Sequence, residues 1–247
     1  MDENEKRILD SWQMNAKLWT QAVRNKQIES RAIATDAAIV KAITQLNPRT
    51  FLDIGCGEGW LSRQLFSLGI DGWGVDFCAD LIETAKDSGD SRFVVCSYSD
   101  LASQRFSTIN YFSCLICNFS ILGECALDEI AKAGHTLLEN KGKIIIQTLH
   151  PIIACGDSTY SNGWRETSWQ PNADQPFYPA PWYFRTLESW INEFQILNYR
   201  LLNLYEPSDP KTNKPISIIF VFEREFGYPS AAFGAFRSKL FSRGQEV

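Results

Sequence analysis

An alternation of short apolar segments and helical patterns runs from residue 50 to residue 149 and constrains the fold more than any other feature. The apolar segments predict strands at residues 50–54, 71–76, 92–96, 111–118 and 143–149. Strands that alternate with helices favour a parallel sheet with right-handed connections and helices on both faces. The segment 143–149 is almost continuously apolar, as expected of a strand that is covered on both faces.

The composition fits one globular domain. A chain of 247 residues with 45% hydrophobic and 21% charged residues is neither disordered nor collagen-like. Its net charge of −5 provides no general attraction to phosphate backbones, so we expect no nucleic-acid partner. The sequence has neither a signal-like start nor an apolar stretch of about 20 residues, so we expect a cytoplasmic protein without an integral membrane span. We also expect a monomer or a homodimer.

The cysteines favour reduced thiols over a disulfide framework, because the chain has seven of them and they are scattered. Cys114 and Cys117 form a C-x-x-C motif within a predicted strand. Residues three apart on a strand point to opposite faces, so this pair cannot share a metal ion or a disulfide. We predict core packing for both side chains and no metal site in the chain.

A glycine-rich turn with a spaced acid carries the strongest local signal. The segment Asp53-Ile54-Gly55-Cys56-Gly57-Glu58-Gly59 follows a predicted strand and opens a predicted helix, and Asp76 ends the next strand. An acid at that position can accept both hydroxyls of a ribose. The third glycine comes one residue too early for a dinucleotide fingerprint. A carboxylate before the first glycine suits a ligand with a positive charge, such as S-adenosylmethionine (SAM).

These residues resemble the glycine motif and spaced acid of the class I SAM-dependent methyltransferases, and the resemblance covers roughly residues 45–225. It implies a Rossmann-like sheet of seven mostly parallel strands with an antiparallel last strand. It also implies SAM as cofactor and S-adenosylhomocysteine as product. The segments QTLHP, GWRE, PWYFRTL and YEP are similar to a small bacterial subgroup whose substrate is unassigned.

The resemblance also implies a division into parts of one methyltransferase domain, 1–247. These parts are a helical lid (1–47), a SAM-binding core (48–150), a substrate cap insertion (151–185), a closing helix and hairpin (186–225), and a tail (226–247). Trp19 and Arg31 in the lid are possible contacts to the methionine carboxylate. The tail has an amphipathic pattern, and we expect it to dock on the domain.

The family's cofactor roles transfer to matching positions of this sequence. Asp53 and the backbone of Gly55, Cys56 and Gly57 would hold the methionine amino group. Asp76 would bind the ribose hydroxyls.

The adenine and methyl ends of the cofactor have further candidates. By the same resemblance, Phe77 would pack on the adenine, and Ser97-Tyr98-Ser99 would line the adenine edge. Asn118 and Phe119 would flank the methionyl group and the transferred methyl group. Ser97 departs from the acid that many relatives carry near this position, which leaves the contact to the adenine amino group open.

His150 is the candidate general base, because it follows the fifth predicted strand at the edge where ligands bind in open parallel sheets. An imidazole there could take a proton from an acceptor hydroxyl or acid. The alternative is a structural histidine that bonds a backbone carbonyl and packs the cap. The only other histidine, His135, lies late in a helix, and we interpret it as structural.

The insertion 151–185 supplies the candidate substrate residues, because it follows His150 directly and is rich in proline and aromatic residues. Trp164 and Tyr183 could form an aromatic wall, and Arg165 and Arg185 could bind a carboxylate or phosphate. An aromatic mini-core with surface arginines would show the same pattern. Glu206 is a weaker candidate for the same rim.

The predicted function is SAM-dependent methyl transfer to a small, anionic or aromatic molecule, by O-, C- or carboxyl methylation. The sequence also allows a SAM-binding regulator or scaffold without transfer activity. A nicotinamide-dependent oxidoreductase is a further alternative, which the early third glycine disfavours.

Overall fold

The structure is a computed structural model that describes residues 2–87, 91–103, 111–166 and 177–225. Its helices are α1 (Glu3–Arg24), α2 (Asp36–Thr44), α3 (Trp60–Ser67), α4 (Ala79–Lys86), α5 (Tyr98–Ala102), α6 (Ala126–Leu137), α7 (Pro151–Cys155) and α8 (Leu187–Ile196). A π-helical turn, Arg31–Thr35, precedes α2. The strands are β1 (Thr50–Ile54), β2 (Asp71–Asp76), β3 (Phe93–Val95), β4 (Phe112–Asn118), β5 (Leu138–Leu149), β6 (Gly163–Glu166), β7 (Pro181–Phe184), β8 (Tyr199–Tyr205) and β9 (Ser217–Arg224).

Seven strands form one sheet in the order β3-β2-β1-β4-β5-β9-β8. The pairs from β3 to β5 are parallel, and β9 runs antiparallel to both β5 and β8. This arrangement confirms the predicted mostly parallel sheet with an antiparallel last strand. It also brings the carboxyl ends of β1, β2, β4 and β5 to one edge, where the predicted site residues lie.

Helices cover both faces of the sheet. On one face, Leu127, Ile130 and Phe194 of α6 and α8 pack on the strands, and on the other Ile43 and Leu65 of α2 and α3 do so. Double coverage explains why β5 contains the continuous run Ile144–Ile146, all fully buried. No helix within the described ranges is long and apolar enough to cross a membrane.

The insertion contains more regular structure than its composition indicates. It begins with α7, and β6 pairs with β7 in a separate antiparallel hairpin. Each hairpin strand is only four residues long, which is too short for alternation to reveal it. The predicted docking of the tail concerns residues 226–247, which lie outside the described residues.

Candidate functional site

The glycine turn joins β1 to α3 and has the backbone geometry that its sequence predicts. Gly55 has a φ of +73°, and a Cβ atom there would collide with the Cβ of Ser120. The amides of Gly55 and Cys56 both donate to the Val75 carbonyl, at 2.8 and 3.0 Å. The Cys56 side chain is buried in a small core cluster with Phe93. Its contribution to a ligand site is therefore limited to its main chain.

Asp76 closes this turn from the end of β2. Its carboxylate accepts hydrogen bonds from the amides of Gly57 and Cys78, both at 2.9 Å. The residue is 6% exposed, and burial raises the pKa of its carboxyl. The carboxylate that is predicted to bind the ribose is thus hydrogen-bonded to the glycine turn.

Asp53 is buried deeper beneath the same turn. Its carboxylate accepts a 2.8 Å hydrogen bond from the Ser62 hydroxyl. Burial raises the pKa of the Asp53 carboxyl to about 7, a shift that the Ser62 bond reduces and the nearby Asp76 charge increases. Neither acid contacts a cation among the described residues. The two strand ends therefore carry acids whose ionised form a cationic ligand could stabilise.

Helix α1 lies against the glycine turn, in the place predicted for a lid. A Cβ at Gly57 would be 3.4 Å from the indole nitrogen of Trp19. Arg24 of α1 bonds the buried Glu58 carboxylate at 3.1 Å. Arg31 pairs with Asp36 and packs over the Trp60 ring, with its guanidinium carbon 4.5 Å from the ring centroid. The N-terminal segment is thus joined to the turn and to α3 through both aromatic and charged contacts.

Several residues predicted near the adenine already make packing contacts or hydrogen bonds within the protein. Phe77 packs beside Trp19 against a small cluster under α1. Ser97 caps α5 and forms a capping box with Asp100, which occupies both side chains. The Tyr98 hydroxyl donates to the Ser120 carbonyl at 2.7 Å, whereas Ser99 is exposed.

The end of β4 has unusual backbone and side-chain features. The side-chain oxygen of Asn118 is buried without a hydrogen-bond partner among the described residues. Phe119 has a φ of +55°, a strained conformation for a residue with a large side chain, and its amide donates to the Gln147 carbonyl. Both features occur where the resemblance expects the transferred methyl group.

His150 and Glu206 form a hydrogen-bonded pair across the ends of β5 and β8. Nε2 of His150 lies 2.8 Å from Oε1 of Glu206. His150 is 4% exposed, and its Nδ1 is buried with no partner among the described residues. By contrast, His135 contacts the Leu197 carbonyl, and burial lowers the pKa of its imidazole.

The hairpin brings two of the predicted substrate residues together. Trp164 pairs with Tyr183 in register, and their rings meet edge to face with centroids 5.4 Å apart. Both side chains are only partly buried, so they could still contact a ligand.

Two predicted anion-binding arginines are instead engaged by the protein. Arg185 is 2% exposed, and its guanidinium bonds Glu193 and the carbonyls of Gly123 and Glu124. Arg165 packs over the Phe184 ring and donates to the carbonyl of Thr159 at 2.7 Å. Both guanidinium groups are therefore already hydrogen-bonded within the protein, and the buried Arg185 also differs from the surface arginine of the mini-core alternative.

Sequence reasoning missed the contacts between α1 and the insertion. Arg7 forms two hydrogen bonds with Glu166, and buried Asn15 bonds both the amide and the carbonyl of Tyr178. It also left the pairing of Glu206 with His150 unnoticed. The sequence offered one signal for this pair, which is that a polar residue directly follows each of two strands. The fold then brings the ends of those two strands close together.

Comparison with known proteins provides a family for the central part of the chain. The methyltransferase domain family model matches residues 51–142, from β1 into β5. Comparison with curated protein sequences finds no significant match.

Many solved structures share the fold at low sequence identity. A SAM-dependent methyltransferase from Mesorhizobium loti has a TM-score of 0.56 and 15% identity, with 76% of this chain and 99% of that chain covered. A 1,6-didemethyltoxoflavin-N1-methyltransferase from Burkholderia thailandensis, solved with that molecule and S-adenosylhomocysteine, has a TM-score of 0.59 and 14% identity over 91% of each chain. The glycopeptide N-methyltransferase MtfA, solved with SAM, has a TM-score of 0.60 and 11% identity over 76% and 86% of the two chains.

Proposed function

We propose that this chain, whose residues 51–142 match the methyltransferase domain family model, transfers the methyl group of SAM to a small-molecule acceptor. One observation carries the proposal. Two buried carboxylates, Asp53 and Asp76, flank a glycine turn and have no cation partner among the described residues. SAM carries an ammonium and a sulfonium and no phosphate, so it fits this charge pattern better than a dinucleotide would.

The residues at this edge of the sheet fit the parts of SAM. Asp76 would accept the ribose hydroxyls, and Asp53 with the backbone from Gly55 to Gly57 would compensate the amino group. The unpartnered oxygen of Asn118 is a hydrogen-bond acceptor near the expected methionyl group. When bound, SAM supplies an electrophilic methyl group and a neutral thioether as leaving group.

The protein's own part is mainly alignment and exclusion of water. Helix α1 covers the glycine turn and is bound to the insertion, so one element borders both the cofactor residues and the acceptor residues. Trp164 and Tyr183 would provide apolar contacts for the acceptor. His150 is the candidate base at the end of β5.

Incubation of the full chain with methyl-labelled SAM and a cell extract tests the proposal. We expect the label in the small-molecule fraction, identified by mass spectrometry. Asp76→Asn should abolish most of the labelling, whereas Asp71→Asn should retain it, because Asp71 lies at the opposite end of the same strand. Label confined to nucleic acid or protein, or no labelled product, would contradict the proposed function.

A further inference from the structure

The geometry of His150 identifies the atom that can act as a base. A carboxylate accepts hydrogen bonds and cannot donate them, so the 2.8 Å contact to Glu206 requires a hydrogen on Nε2 of His150. In the neutral ring, Nδ1 then keeps its lone pair. We propose that Glu206 is a positioning residue that fixes this tautomer, so that Nδ1 of His150 takes the proton of a neutral hydroxyl or N–H acceptor. The inference rests on the proposed function and specifies its acceptor class.

The environment of Nδ1 supports a role toward a ligand. This nitrogen is buried and has no hydrogen-bond partner among the described residues. A buried polar atom without a partner typically costs about 1–3 kcal/mol, so such atoms are uncommon unless a ligand or water completes them. His150 is also the residue before α7, but its side chain does not cap that helix. Within the described ranges, Nδ1 therefore makes no structural hydrogen bond.

The neighbouring charges disfavour an anionic acceptor. Glu206 places a carboxylate at the histidine, and its side chain is 54% exposed. In the described part of the insertion, Arg165 and Arg185 both donate to protein oxygens. A substrate carboxylate would therefore meet the negative charge of Glu206 and no available guanidinium from the part of the insertion that the structure describes. A neutral acceptor avoids this repulsion and is also the kind of nucleophile that needs a base.

The acceptor, SAM and His150 account for the proton, the electron pairs and the leaving group of the proposed methyl transfer. The acceptor O–H or N–H bond breaks, and its proton moves to Nδ1 of His150. The freed electron pair forms the bond to the methyl carbon, while the pair of the carbon–sulfur bond leaves with sulfur. The resulting imidazolium lies beside the Glu206 carboxylate, which stabilises its charge. Release of that proton to solvent restores the starting state.

Nuclear magnetic resonance of the histidine ring tests the tautomer without knowledge of the acceptor. The full chain has only two histidines, so the spectrum of ring-¹⁵N-labelled His150→Gln assigns both signals. We expect the neutral His150 ring to be protonated at Nε2, with an Nε2–H proton slow to exchange. That proton should disappear in Glu206→Ala and persist in the control Glu83→Ala. Protonation at Nδ1, or an Nε2–H signal unaffected by Glu206→Ala, would overturn the proposal.

The labelled product tests the acceptor class. We expect a methyl ether or N-methyl compound that survives mild alkali, and a loss of turnover of about 10²- to 10³-fold in His150→Gln with unchanged SAM affinity. A methyl ester, which alkali cleaves to labelled methanol, or a C-methyl product would overturn the acceptor class and leave the proposed function intact. Absence of any product would contradict the proposed function, while the ring spectrum still decides the tautomer.

Discussion

Two regions of the molecule hold buried charge in opposite ways. At the ends of β1 and β2, Asp53 and Asp76 are buried acids without a described cation partner. Beside the hairpin of β6 and β7, the buried guanidinium of Arg185 is matched by Glu193 and two carbonyls. Burial of a charge is costly unless a partner compensates it. The first region therefore calls for a cation from a ligand, whereas the second is already compensated by the protein.

Under the proposed function, this difference would separate cofactor binding from acceptor binding. The uncompensated pair of acids would select a ligand by its positive charge. The compensated arginine and the partly exposed rings of Trp164 and Tyr183 would select an acceptor by its shape and favour one of low charge. The His150–Glu206 pair combines both situations, because Nε2 is bonded within the protein whereas Nδ1 has no partner among the described residues.

Replacement of Arg185 should give the largest effect on stability. We expect Arg185→Met to lower the free energy of unfolding by about 3 kcal/mol, because Glu193 and two carbonyls lose a buried donor. SAM affinity of the folded fraction should not change. Chemical denaturation and calorimetry measure the two quantities.

Arg200→Met is the matched control, because the Arg200 side chain is 55% exposed and its partner Glu223 keeps an ion pair with Lys143, so the unfolding midpoint should fall much less than in Arg185→Met. A stable Arg185→Met protein that had lost methyl transfer alone would break the comparison, since Arg185 would then act on the substrate.

Replacement of Asp76 should have the largest effect on the affinity for SAM. We expect Asp76→Asn to weaken SAM binding about 100-fold, or ~2.7 kcal/mol, because the variant loses charge and an acceptor for the ribose and the turn. Titration calorimetry measures the affinity, with Asp71→Asn as the control on the same strand. A change of less than threefold would show that Asp76 serves the turn alone.

The cofactor region was predictable from sequence because its signals are local. The positive φ of Gly55 and the placement of Asp76 both follow from residues within one strand-turn-helix unit and the next strand. The same locality explains why the limits of β1 and β2 match the predicted segments.

The acceptor region was less predictable because its contacts are distant in sequence. Arg185 bonds carbonyls about 60 residues earlier, and Arg7 reaches Glu166 across 159 residues. An isolated arginine in the sequence looks the same whether it will meet a ligand or a carbonyl. Only the packing of the insertion against α1 and against the segment between β4 and α6 distinguishes these outcomes.

The ionisation of Asp53 should make cofactor binding depend on pH. Burial raises the pKa of Asp53 to about 7, so the acid is mostly protonated below that pH in the absence of ligand. A cationic ligand favours the carboxylate and should release about one proton at pH 6. SAM affinity should then rise about tenfold per pH unit, or ~1.4 kcal/mol, until pH 7 and level off above it.

Calorimetry in buffers of different ionisation enthalpy measures this proton release. Asp53→Asn should abolish it, and adenosine, which lacks the methionine cation, should bind the wild-type protein without releasing a proton. Equal release with adenosine would mean that Asp53 responds to the nucleoside rather than to charge, and the contrast between the two regions would weaken.

Loss of the contacts between α1 and the insertion should have the smallest effects. Loss of a buried contact should lower the free energy of unfolding more than loss of an exposed one. Asn15 is 3% exposed and makes two hydrogen bonds to the main chain of Tyr178, so Asn15→Ala should lower the free energy of unfolding by about 1–2 kcal/mol. Arg7→Ala should leave the unfolding midpoint unchanged, because both partners of its pair with Glu166 are largely exposed and solvent screens their attraction. Denaturation at low and high salt distinguishes the two. A salt-sensitive loss in Arg7→Ala as large as that in Asn15→Ala would mean that charge, rather than buried hydrogen bonding, holds the lid to the insertion.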